Sequence, residues 1–197
     1  MKLLFFALFN LTLNFTLWGK SLEKEFIFNS FSEAQKAEDS YLSFEIKSTK
    51  MGLFTSTVPG LAKKFKFNSE YDEKNQVAST TEISFNVEDL DTDSSGRNEK
   101  MHETCLSKSK TPQITIKTAK VDIKNLENGS VDAVMNVRGV DKPIKLNLSV
   151  KSVDKNFVIE GTSQVKFSEL EIPDPSIVIA KVNDVIDIKF KFDIPKE

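Results

Sequence analysis

The side chains able to do chemistry are few and lie close together in the chain. His102 and Cys105 are the sole histidine and cysteine. They flank Glu103 within Met101-His102-Glu103-Thr104-Cys105. A histidine beside a carboxylate is the smallest unit of general acid–base work. A thiol becomes a nucleophile only where it is kept acidic and accessible. There is no Gly-x-Ser-x-Gly, no His-Glu-x-x-His and no phosphate-binding Gly loop, and a histidine-dependent triad would have His102 alone to call on. A lone His on a surface helix is ordinarily solvated and a lone Cys ordinarily packed, so no catalytic residue is assigned. Asp89, Asp91 and Asp93 alternate as in a calcium loop, but Ser94 stands where the loop needs Gly. Lys100 replaces the closing carboxylate. No metal site and no cofactor are expected. Arg97 and Lys100 are suited to a phosphate or carboxylate; the other reading of both is a solvated helix face.

Composition narrows the class. The formal net charge is -2, so nothing draws the chain to nucleic acid. Sixteen Phe stand against one Trp and two Tyr, which promises a large interior short of polar handles. One Cys excludes an intramolecular disulfide and any multi-cysteine metal site.

The elements that must position these groups are written in two-residue periodicity. Val131, Ala133, Met135 and Val137 share one face, and Ile144, Leu146, Leu148 and Val150 share another across the Arg138–Pro143 turn. Similar runs recur before and after. Phe44 and Ile46 alternate with polar neighbours, as do Phe65 and Phe67, then Ile83 and Phe85. Ile114 and Ile116 follow, and a change of parity near Thr118 predicts a β-bulge. Phe157, Ile159, Val165 and Phe167 keep one parity; so do Ile186, Ile188, Phe190 and Phe192 near the end. About eight antiparallel strands result, with residues 52–60 as a loop, Asn128-Gly129 as a hairpin turn and Phe26–Ala37 as a leading segment. Residues 94–106 break the alternation. Met101 and Cys105 are one helical turn apart, so a short helix covering one mouth of a barrel is expected.

Residues Met1 to Ser21 read as a cleaved signal peptide: Lys2, then an apolar run interrupted by Asn10 and Asn14, then small Gly19 and Ser21. The run is too short to be a stable membrane span. No Cys near the cleavage point excludes lipid anchoring. Residues 22–197 are then one exported domain, periplasmic or secreted, monomeric or a weak dimer because a closed barrel has few edges.

Three segments together resemble the YceI-like family of exported bacterial proteins. They are Met51-Gly52-Leu53; Arg97–Met101 with Leu106, leading into Thr111–Ile116; and Arg138-Gly139-Val140-Asp141-Lys142-Pro143-Ile144. The resemblance runs from about Tyr41 to Ile194. It implies an all-β, eight-stranded antiparallel barrel, lipocalin-like in shape. It also implies that a long-chain amphiphile, a polyisoprenoid or fatty acyl derivative, lies in an apolar interior. The chain departs from the family in carrying Lys100 where His usually precedes Met; His102 is not the equivalent.

On these grounds the cavity wall is assigned to Phe44, Ile46, Phe65, Phe67, Ile83, Phe85 and Met101, then to Ile116, Phe157, Ile159, Phe167, Ile188 and Phe190. Arg97, Asn98 and Lys100 are assigned to a head group. The residues alone leave open whether the interior is hollow or filled by its own side chains. A guest tail has energy to spare: twenty buried methylenes yield ~16 kcal/mol gross, against ~4–15 kcal/mol for association.

Overall fold

The computed structural model describes residues 19–124 and 126–196. The apolar run behind the signal-peptide expectation lies outside them. The chain is all-β. One curled, half-barrel sheet holds twelve strands, in the order β1-β4-β5-β7-β9-β10-β11-β12-β2-β3-β6, with β8 on β5.

The strand count exceeds the expected eight for local reasons. A strand not expected from the sequence, β1 (Lys20–Ile27), begins within the expected signal peptide and reaches only the first two residues of the leading segment; it pairs with β4 (Lys64–Asp72) and sets Phe26 opposite Phe65. Leu22 is the first buried side chain among the described residues. A single helical turn, α1 (Phe31–Lys36), follows; Ser30 caps it by accepting from Glu33 N–H at 3.2 Å, while Glu33 accepts from Asn29 N–H at 2.8 Å. The predicted loop at residues 52–60 is instead strand β3 (Phe54–Ala62), paired along β2 (Tyr41–Lys50). β3 runs straight into β4 through Lys63, whose carbonyl accepts from Phe28 N–H at 2.8 Å and whose N–H donates to Asp89 at 2.8 Å. The corner at Lys63 thus splits one long run in two.

β5 (Val77–Asn86) leads through a 3-10 turn to the short β6 (Leu90–Asp91). β7 (Gln113–Thr118) and β8 (Val121–Asp122) are separated by a two-residue break, but both pair with β5 in one register (Thr81 with Thr118, Ala78 with Val121), so the predicted bulge is not there; the register shift lies between β4 and β5, at Glu70 and Tyr71. Asn128 has a positive φ of 54° but ends a longer connection, so it is no two-residue hairpin.

β9 (Gly129–Val137) and β10 (Val140–Val153) form the strongest hairpin. Its turn is only Arg138-Gly139, both at positive φ (56° and 76°), so Val137 faces Val140. Pro143 therefore lies within β10, before β11 (Asn156–Lys166) begins to pair at Asn147, and costs no ladder bond on that side. β12 (Ala180–Pro195) closes the order against β11 and β2.

The interior has two halves. One is filled by aromatic rings. Phe26 stacks on Phe65 at 4.6 Å, Phe65 meets Phe192 at 5.5 Å, and Phe192 stacks on Phe190 at 5.3 Å. Phe192 and Ile194 have no exposed surface at all. Tyr71 meets Phe157 edge-on at 4.9 Å nearby. The other half is hollow. Alternation reported correctly which side chains point inward; it carried no information on which end of the sheet is packed.

Candidate functional site

The hollow half encloses an apolar cavity of about 620 Å³. Its wall is built by inward-facing positions of many strands. β2 contributes Phe44 and Ile46, β5 Phe85, β7 Ile114 and Ile116, β9 Met135 and Val137, and β12 Ile186 and Ile188. Val165 and Phe167 come from the end of β11. Polar atoms enter at few points, chiefly Ser48, Ser56, Thr57 and Thr92 and the cations Lys50, Arg97 and Lys100.

Of the predicted wall, Phe44, Ile46, Phe85, Met101, Ile116, Phe167 and Ile188 line this cavity. Phe67, Ile83, Phe157, Ile159 and Phe190 instead border a second space of only about 70 Å³, at the packed end. Phe65 lines neither and is a 1 % exposed member of the ring stack. Parity put these six on the inward face without showing that they lie at the packed end, since it fixes the face of a residue and not its height along the strand.

The segment with the mixed chemistry is α2 (Ser95–Glu99), continued by a π-helical turn over Lys100–Cys105. Its Gly96, Arg97, Lys100, Met101 and Cys105 all reach the cavity. Asn98 does not; its amide is structural. Asn98 Oδ1 accepts from Thr92 N–H at 2.9 Å and Thr92 Oγ1 at 2.7 Å, and its Nδ2 donates to Asp91 at 2.8 Å. Arg97 also grips Thr92, donating to its carbonyl at 2.5 Å and its hydroxyl at 3.3 Å. Lys100 Nζ donates to the Pro175 carbonyl at 2.7 Å and the Ser176 carbonyl at 3.4 Å.

The remaining reactive groups are held in structural roles. His102 Nε2 lies 2.8 Å from the Leu90 carbonyl. Burial pushes the Cys105 thiol up, only partly countered by Lys100 and Arg138, so it stays protonated and unreactive at neutral pH. Asp91 is engaged by protein groups. Burial opposes its charge, but the Asn98 amide, the Asp93 N–H and Lys63 at 3.0 Å outweigh that and hold its carboxyl below the usual range. Among the described residues no group of His, Cys, Asp and Glu is placed to hold a metal. Arg138, in the turn between β9 and β10, donates to the Cys105 carbonyl at 2.7 Å and anchors the end of the π turn. Asp141 is taken by Asn136 at 2.6 Å.

Sequence reading left wall residues unassigned: Ile114, Met135, Val137, Val165 and Ile186 were read as sharing strand faces without being placed on the wall. Leu170, Ile172, Pro175 and Ile177 line the cavity from an irregular stretch without periodicity. Gly60 was placed in a loop, yet it pairs with Phe44 across β2 and β3. A Cβ there would lie 2.1 Å from the Phe44 ring, so the bare glycine lets that ring lie flat over its own sheet.

Comparison with known proteins gives the chain its relatives. The YceI-like domain model matches residues 34–194. No curated protein sequence matches. Among solved structures, BcnA of Burkholderia cenocepacia superposes with TM-score 0.62 at 18% identity, over 77% of this chain and 94% of that one. A Campylobacter jejuni YceI protein gives 0.62 at 19% identity, over 74% and 89%. A polyisoprenoid binding domain from Saccharophagus degradans, implicated in plant cell wall breakdown, gives 0.57 at 12% identity, over 79% and 97%. At such identities the likeness is one of fold.

Proposed function

The chain belongs to the YceI-like domain family, and on that premise we propose that it is an exported binding protein holding the tail of a long-chain amphiphile in the 620 Å³ cavity. The observation that carries this reading is the hollow half itself. Its volume falls within the ~300–1,000 Å³ of ligand pockets, and its wall is nearly all aliphatic and aromatic. A tail of isoprenoid or fatty acyl type suits such a wall, which offers almost nothing to a polar guest. The S. degradans domain that shares the fold is named for polyisoprenoid binding, which supports the class of ligand.

The α2 segment and its π turn cover the mouth in this reading. Arg97 and Lys100 are the cations nearest a head group there, though both already bond to backbone carbonyls. The head group thus competes with the chain's own contacts. The tail supplies affinity and the rim supplies selection. Export, with cleavage near Ser21 and residence in a periplasm, belongs to the same proposal; cleavage there leaves Leu22 and every later buried side chain in place.

The test is to produce the protein by export, purify it without detergent and extract it with organic solvent for mass spectrometry. A stoichiometric long-chain amphiphile is expected. A clean extract, from folded protein that also takes up no isoprenoid or fatty acyl probe, overturns the reading.

A further inference from the structure

The largest exposed apolar side chains collect at one place. Met51, Leu53 and Phe54, at 78%, 79% and 70% exposure, form the tip joining β2 to β3. Ile177, Val178 and Ile179 precede β12, and Val178 is fully exposed. The two tips are joined: Met51 N–H donates to the Ile179 carbonyl at 3.0 Å, and Ala180 pairs with Lys50. Solvating so many apolar groups together marks an interaction surface.

This surface is the lip of the cavity. Lys50, Ser56, Thr57 and Ile177 are exposed, yet they line the cavity, so it opens between these tips. Residues 46–58 carry Lys47 and Lys50 and no carboxylate, and Lys181 follows the second tip between Asp174 and Asp184, in a chain whose formal net charge is -2. Apolar tips backed by lysines match the acyl boundary and the anionic head groups of a bilayer in turn. The tips protrude rather than form a flat or grooved face, and protruding apolar groups need a medium that yields around them.

We propose that this lip docks on anionic lipid bilayers, inserting the 51–54 and 177–179 tips so that the cavity opens onto the membrane. The proposal rests on the amphiphile-binding reading for its purpose, since it lets a tail pass between bilayer and cavity without crossing water. Docking itself is measurable alone.

The test uses the full chain in a Cys105→Ala background, with one bimane-labelled cysteine at Leu53→Cys, Val178→Cys or Lys155→Cys. Lys155 lies in the β10–β11 turn, at the opposite end of the sheet. Vesicles contain equal parts phosphatidylglycerol and acyl-brominated phosphatidylcholine. Bromine is expected to quench the label at 53 and 178 but not at 155. The quenching should weaken several-fold in high salt and vanish in the triple variant Met51→Ser, Leu53→Ser, Phe54→Ser. Absence of quenching at 53 and 178, or equal quenching at 155, overturns the proposal. So does a lipid-independent dimer that buries the same labels. Docking by a chain that takes up no amphiphile probe would count against the cavity reading alone; uptake without docking would count against the lip alone.

Discussion

Lys100 and Pro175 meet across the cavity mouth: the ammonium of one donates to the carbonyl of the other at 2.7 Å. With a longer bond from the same ammonium to the Ser176 carbonyl at 3.4 Å, it ties the helical segment, anchored on Thr92 by Arg97 and Asn98, to the irregular stretch that completes the wall. It couples two elements that have no ladder between them, so it can open without disturbing the sheet.

Removing that bond tests whether the mouth gates exchange. A charged hydrogen bond is worth about 1.5–3 kcal/mol. Lys100→Met keeps the stem and is expected to speed release of a fluorescent fatty acyl probe roughly tenfold, and to lower the unfolding free energy by no more than the bond is worth. Stopped-flow release measures it, and an unchanged rate means that the strap does not gate.

The two halves of the interior separate binding from stability. Ile188 lines the cavity; Phe190, two residues on, is packed and 4% exposed. Ile188→Gln should weaken probe binding by about ten- to a hundredfold, since an amide facing a tail costs ~1–3 kcal/mol, while the fold persists. Phe190→Gln is expected to lower stability first, by about 3–5 kcal/mol as for other large core aromatics. Denaturant titrations beside binding titrations check both; equal effects on binding and stability in the two variants would contradict the division.

Gly60 governs the shape of the guest space. In Gly60→Ala the new methyl claims the place of the Phe44 ring, and the ring must swing toward the cavity. A preference for shorter acyl chains is expected, read from a chain-length series of probes. An unshifted optimum would show that Phe44 yields elsewhere.

Asp91 predicts an acid limb of stability. Its carboxyl is held below the ordinary value in the folded state, so its contribution is complete above the unfolded aspartate pKa of ~3.9. It is lost as pH falls from there through the lower folded value. Asp91→Asn should therefore be less stable than the parent at neutral pH and should lose less further stability below about pH 4. Urea unfolding between acid and neutral pH checks this; parallel curves for the two chains would rule it out.

The residues themselves determined that the chain is a sheet and which face each strand turns inward. Ala133, Met135 and Val137, Ile144 and Leu146, Phe190 and Phe192 all lie buried where period-2 alternation put them. The strand break after Thr118 coincides with the change of parity, though not with the bulge that it predicted. These properties are local, because a strand's pleat assigns its faces without reference to any partner. What the tertiary structure alone decided is where along those inward faces the interior is filled. Phe65 and Phe44 have the same pattern in sequence, yet one is stacked between Phe26 and Phe192 while the other lies against Gly60 with a cavity before it. That difference depends on register, on the corner at Lys63 and on a β1 strand that delivers Phe26 to one end only. The roles of Asn98, Lys100 and Arg138 were hidden for the same reason. Their partners are carbonyls and amides whose positions exist only once distant strands have paired.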